Sequence, residues 1–265
     1  MTEYASRGDH RRTMELLWGQ GAASNRGPKP GLELATVVRT AIELADADGL
    51  AAVSMRKIAE RLGRSAMALY TYVPGKAELL DLMLDTVYGE DVAPAPDGGW
   101  RVAAEASARA TWELYLRHPW VLQVAGGRPV LGPNELDAYE SLLRIFDGLG
   151  LSATEVARSA NALAGFVRGA AKAVSDARAA EQATGLSDDE WWNARSPLLD
   201  EMVGDWEARF PVSTRLSAAQ AFDQVDRPDD SLPYTVRDAF DTFDFGLQRL
   251  LDGFAAHIAA VAGRP

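Results

Sequence analysis

The stretch SMRKIAERLGRSAMALYTYVPGK, residues 54–76, constrains this chain most, because it joins a tight helix-turn-helix pattern to positive charge in an otherwise acidic protein. Met55, Ile58, Ala59 and Leu62 recur at the spacing of one helical face. Gly63 suits the left-handed turn that ends such a helix, and Ser65 suits the N-cap of the next. The second helix is predicted to be short and to stop before Pro74. Arg56, Lys57, Arg61, Arg64 and Lys76 against Glu60 give this segment a net charge of +4, whereas the 265-residue chain carries −11. Residues 1–31 add +2, so the remainder holds −17. Affinity for DNA comes from neutralising phosphates, so the sign of the docking face matters, and the acidic remainder restricts docking to one orientation.

The flanks fit a reading head. Upstream, Leu34, Val37, Val38, Ala41, Ile42 and Ala45 form one stripe that ends at Gly49, as a supporting first helix should. Downstream, KAELLDLMLDTVY continues as an apolar helix through Leu79, Leu80, Met83 and Val87, able to connect the head to a second domain. Two short helices with merely solvated charges are the bland alternative, and the coincidence of turn, cap and charge cues weighs against it.

On these residues the chain resembles the N-terminal domain of the TetR family of bacterial transcriptional repressors. The likeness rests on residues 32–88: Asp48-Gly49, Ser54-Met55-Arg56-Lys57-Ile58-Ala59, Leu62-Gly63, Leu69-Tyr70, Val73, Lys76 and Leu79-Leu80. Elsewhere it is similar in helical layout and length only. The resemblance implies an all-α fold: a three-helix head in residues 32–92 including a connecting fourth helix, and a larger helical effector-binding and dimerisation domain in residues 93–265. It also implies a homodimer, a palindromic double-stranded DNA operator and a small-molecule effector. It places base and phosphate contacts at the start of the second helix and on the third. Arg56 resembles the arginine that reaches a guanine edge. Ser65, Ala66 and Met67 occupy the front of the recognition helix, with Met67 able to touch a thymine methyl, while Tyr70, Thr71 and Tyr72 project toward backbone and nearby bases. Lys76 matches a phosphate contact, Ser54 could offer another at a helix start, and Arg64 at the turn meets phosphate or solvent. Leu69 reads as core.

Residues 1–31 read as a basic flexible arm with a short helix around DHRRTMELLW. Arg26 and Lys29 could enter the minor groove or track phosphates, or simply keep a tail soluble. Met14, Leu17 and Trp18 could instead pack on the protein's own surface. The run APAPDGG, residues 93–99, marks a domain boundary. Beyond it helices are predicted over 100–117, 135–148, 154–180 behind Ser152, and 235–261. The helices at 154–180 and 235–261 are the candidate dimer interface. The first is rich in small residues, including Ala160, Ala164, Gly165, Gly169 and Ala171; the second carries Phe240, Phe243, Leu247, Leu250, Leu251, Phe254 and Ile258. Such stripes also serve as monomer core, and the resemblance favours the interface. Residues 185–233 read as an insertion or lid, in which Asp188, Asp189 and Glu190 suit the first turn of a helix behind Ser187 better than a metal site.

Effector contacts are expected from Trp112, Tyr115, Gln123, Asn161 and Phe166. The tetracycline-responsive branch ligates the drug's magnesium through a histidine before its GxRP turn; VLQVAGGRP has none here, which argues against tetracycline. His118 before Pro119 reads as a helix-end residue. No cysteine, HExxH, GxSxG or phosphate-loop pattern is present, so no cofactor is expected and an enzyme is the least favoured class. An activator, or a helical adaptor that retains the head, is the alternative reading. No signal-peptide run or membrane span is evident, which fits the cytoplasm.

Overall fold

The computed structural model describes residues 3–19, 32–90, 98–125, 128–222 and 232–263. Among them the fold is all-α, apart from a two-residue parallel pairing of β1 (Glu3–Tyr4) with β2 (Val124–Ala125). The chain divides into two compact units, Met1–Lys172 with Phe243–Pro265, and Ala173–Thr242.

In the first unit the helices are α1 (His10–Leu17), α2 (Leu34–Asp48), α3 (Met55–Arg61), α4 (Ala66–Leu69), α5 (Lys76–Tyr88), α6 (Trp100–Arg117) and α7 (Pro133–Phe146), with the first part of α8 (Ala153–Thr184) and the last part of α12 (Tyr234–Ala262). The predicted stripe of α2 is the buried one, Val37, Val38, Ala41, Ile42 and Ala45. It packs on α3 and α5, around Ile58, Leu69, Val73, Leu79 and Met83, none of which is exposed. Each such side chain contributes about 1.5–3 kcal/mol by leaving water.

The connector α5 is buried along the whole of residues 78–85, because α1, α2 and α7 all pack on it. Three carboxylates are thereby buried, and each accepts a backbone N–H. Glu78 accepts from Asp9 at 3.1 Å, Asp81 from Ser6 at 2.8 Å, and Asp85 from Glu135 at 2.9 Å. Burial pushes the Asp81, Asp85 and Glu135 carboxyls above their ordinary values, and the backbone hydrogen bonds oppose that shift. Residues 3–19 are consequently docked rather than a free arm. Leu17 and Thr13 of α1 are buried, and the Trp18 indole donates to the Leu131 carbonyl at 3.1 Å. The flexible reading fails for this half because its backbone donors meet acids of α5 that lie some seventy residues away. Arg26 and Lys29 lie outside the described residues.

Three buried positions of α12, Phe243, Leu247 and Leu251, belong to the chain's own core. Phe243 stacks on Trp112 of α6 at 3.8 Å between ring centroids and on Phe166 of α8 at 5.9 Å. Likewise Ala160 and Ala171 are fully buried on α8, whereas Ala164, Gly165 and Gly169 face outward. Helical periodicity identifies an apolar face and leaves open which surface covers it.

The second unit holds the end of α8, α9 (Asp188–Val203), α10 (Trp206–Arg209), α11 (Pro211–Ala218) and the start of α12. Ser187 and Glu190 form a reciprocal capping box at the start of α9, which lowers the Glu190 pKa. Asp188 accepts from the Thr235 N–H and hydroxyl at 3.1 and 2.7 Å, tying α9 to the first turn of α12. These acids thus sit in the first turn of α9 behind Ser187, as their spacing suggests.

Candidate nucleic-acid interface

The geometry of the head follows from its caps. The Ser54 hydroxyl accepts the Lys57 N–H at 3.3 Å, opening α3. At the other end Gly63 takes φ +63°, and the Arg64 N–H returns to the Ala59 carbonyl at 2.9 Å. This is the left-handed closure for which glycine is suited, since a Cβ there would meet no neighbour and only the backbone conformation demands it. Ser65 then caps α4 by accepting the Ala68 N–H at 3.3 Å. The recognition helix is a single turn, extended by Tyr72 and Val73 N–H groups that both reach the Leu69 carbonyl. It ends before Pro74, as its sequence demands.

Leu69 and Val73 turn inward and are fully buried, which sets the opposite side outward. Arg56, Arg64, Ser65, Thr71, Met67 and Tyr70 are exposed, Met67 at 74% and Tyr70 at 47%. Ser54, Ala66, Tyr72 and Lys76 are half-buried. The Arg56 guanidinium lies 3.8 Å from Glu60, a weak exposed pair that a better acceptor could replace. Lys57 and Arg61 add charge to the same helix and are exposed. With both serines used as caps through their acceptor lone pairs, their hydroxyl protons are still able to donate to a phosphate.

This solvent-facing, cationic helix-turn-helix agrees with what related proteins show. Residues 37–83 match the family described as bacterial regulatory proteins, tetR family, and residues 93–258 match the tetracyclin repressor-like C-terminal domain. The chain belongs to the TetR family of bacterial regulators. It is 45% identical over 264 residues to the HTH-type transcriptional repressor DrrR1 of Streptomyces coeruleorubidus, covering 99% of this chain and 92% of that one. It is 34% identical over 191 residues to an HTH-type transcriptional regulator of Saccharopolyspora erythraea, covering 69% and 81%. Among solved structures, the Streptomyces coelicolor TetR family protein ActR in complex with actinorhodin is similar at a TM-score of 0.65 and 26% identity, over 89% of this chain and all of that one. As a TetR-family member the chain is a DNA-binding, ligand-responsive transcriptional regulator of repressor type that acts as a dimer, and the family is not enzymatic. No helix among the described residues is long and apolar enough to cross a membrane.

The residues expected to meet the effector divide in two. Trp112 and Phe166 share the stack on Phe243, and buried Tyr115 lies under the Arg168 guanidinium, 5.8 Å from its ring centroid. Arg168 also donates to the Val124 carbonyl at 2.6 Å. Tyr88, at the end of α5, hydrogen-bonds Tyr115, and burial raises its pKa well above the ordinary phenol value. Sequence reasoning did not single out Tyr88 and Arg168, because no local pattern separates a polar core residue from a ligand contact, and it placed Phe243 on the dimer stripe rather than beside these aromatics. Gln123 and Asn161 stand apart from that stack at exposed positions.

Proposed function

We propose that this chain is a homodimeric repressor that binds a palindromic operator and is released by a small-molecule effector. The observation that carries the DNA-reading part is the exposed row Arg56, Arg64, Ser65, Met67, Tyr70 and Thr71 on an otherwise well-buried head. In this reading Arg56 reads a guanine edge, Ala66 and Met67 face bases, and Tyr70, Thr71 and Tyr72 flank them. Ser54, Arg64, Ser65 and Lys76 hold phosphates. Arg26 and Lys29 extend the contact along the DNA. The chain is organised as residues 1–31, 32–92 and 93–265, and it works in the cytoplasm.

Dimerisation uses the outward small residues Ala164, Gly165 and Gly169 of α8 and the outward face of α12, where Phe245 is 66% exposed. The effector lies against Trp112, Tyr115 and Phe166, with Gln123 and Asn161 at its margin. The actinorhodin complex of ActR supports a small-molecule effector. Binding to α6 and α8 better in one arrangement than the other shifts α5 and thereby the head. An activator would use the same contacts at a differently placed operator.

Stoichiometry tests the arrangement. Sedimentation of the protein with a duplex bearing its selected site should give two chains per site, and inserting five base pairs between the half-sites should abolish binding, since the heads sit about 34–36 Å apart. One chain per site, or indifference to the insertion, contradicts the two-fold reader.

A further inference from the structure

We propose that His118 is a positioning residue for DNA reading: held between Asp46 and Glu90, it fixes the first helix of the head to the end of α6. The proposal rests on the operator-reading function above. His118 follows α6 and is 4% exposed. Its Nδ1 lies 2.8 Å from Asp46 Oδ1, on the last turn of α2, and its Nε2 lies 2.9 Å from Glu90 Oε2, just past α5. Both ring nitrogens thus lie within hydrogen-bond distance of a carboxylate oxygen. The surrounding groups complete the arrangement. Arg117 donates to the same Glu90 oxygen at 2.8 Å, and the Trp120 indole donates to the same Asp46 oxygen at 2.8 Å. Trp120 is fully buried and places its ring edge-on to His118, with centroids 6.3 Å apart.

One side chain thus joins α2, the segment after α5, and α6. The charged groups facing it are Asp46 from α2, Glu90 from beyond α5 and Arg117 from α6. Loss of this side chain removes the bridge and frees the last turn of α2. Because α2 packs on α3, that freedom reaches the reading helices.

Two measurements on the full-length protein test it. Hydrogen exchange should show faster exchange in the last turn of α2 in His118→Gln and Asp46→Asn than in the unmodified chain, and operator affinity should fall about tenfold in His118→Gln. Exchange at α2 unchanged in both variants, or operator affinity unchanged in His118→Gln, overturns the proposal. Failure of the unmodified protein to select any operator would overturn the DNA reading instead, and the exchange would still decide the clamp.

Discussion

Asp85 caps a helix to which it does not belong: from within α5 its Oδ1 accepts the N–H of Glu135, in the first turn of α7, at 2.9 Å. Its other oxygen accepts from the Asn134 amide at 3.1 Å. Gly132 lets the carboxylate approach, since a Cβ there would overlap it. The connector of the head and α7 are thereby locked in register.

Asp85→Ala should cost about 1–2 kcal/mol, the usual price of a lost N-cap, and Asp85→Asn less, because an acceptor oxygen remains. Urea midpoints of the two variants check this. Midpoints equal to that of the unmodified protein would show that the α5–α7 junction is held by packing alone.

Stability should also respond to pH through the buried acids. Asp81, Asp85 and Glu135 have native pKa values raised by burial, so the folded chain binds protons more readily than the unfolded one. Their contribution falls as pH rises through the raised values and is fully recovered below the ordinary carboxylate values. Glu155, held down to about 2 by the Ser152 hydroxyl and N–H, and Asp252, lowered by Arg249 and Arg101, act the other way and lose their contribution as pH falls below those ordinary values. The optimum is therefore predicted on the acid side of neutrality. Asp81 has a buried Oδ2 without a hydrogen-bond partner. Asp81→Asn should accordingly raise stability on the order of 1 kcal/mol near pH 8 and by much less near pH 4. A uniform gain or loss across that range would rule out this account of the buried carboxyl.

The docked N-terminal segment has its own close approach. A Cβ on Gly8 would overlap the Glu78 carboxylate that accepts the Asp9 N–H. Gly8→Ala should displace that acceptor, cost about 1 kcal/mol, and speed proteolysis within residues 3–18. Cleavage rates like those of the unmodified chain would mean that Leu17 and Trp18 hold the segment without it.

In the head, Arg56→Ala should cost about 1–3 kcal/mol, mainly at one base position, whereas Lys76→Ala should weaken all sequences alike and reduce the salt slope by about one. Binding measured on the selected site and single-base variants at several salt concentrations separates the two. Equal losses on every sequence from both substitutions would remove the assigned roles.

The parts of this fold that were legible in the sequence are those set by neighbours in the chain. Gly63 and Ser65 fixed the turn and its cap, and the buried faces of α2 and α5 followed from spacing, as did the ends of α6, α8 and α12 to within a few residues. Ser152 also takes its expected capping role, with Glu155 N–H reaching its hydroxyl at 3.3 Å. What stayed hidden depends on partners remote in sequence. Asp9 and Ser6 carry no sign that acids of α5 await them, and nothing near His118 points to Asp46. The α12 stripe was visible as apolar, yet only packing against Trp112 and Phe166 shows that Phe243 belongs to the core.

The central claim, a two-fold-symmetric reader of a defined sequence, is tested most directly by selecting bound duplexes from a random DNA pool with the purified protein at two salt concentrations. The account predicts an enriched palindrome whose half-sites lie one helical turn apart and whose enrichment persists at the higher salt. Enrichment of no sequence, with binding that only fades as salt rises, would contradict it.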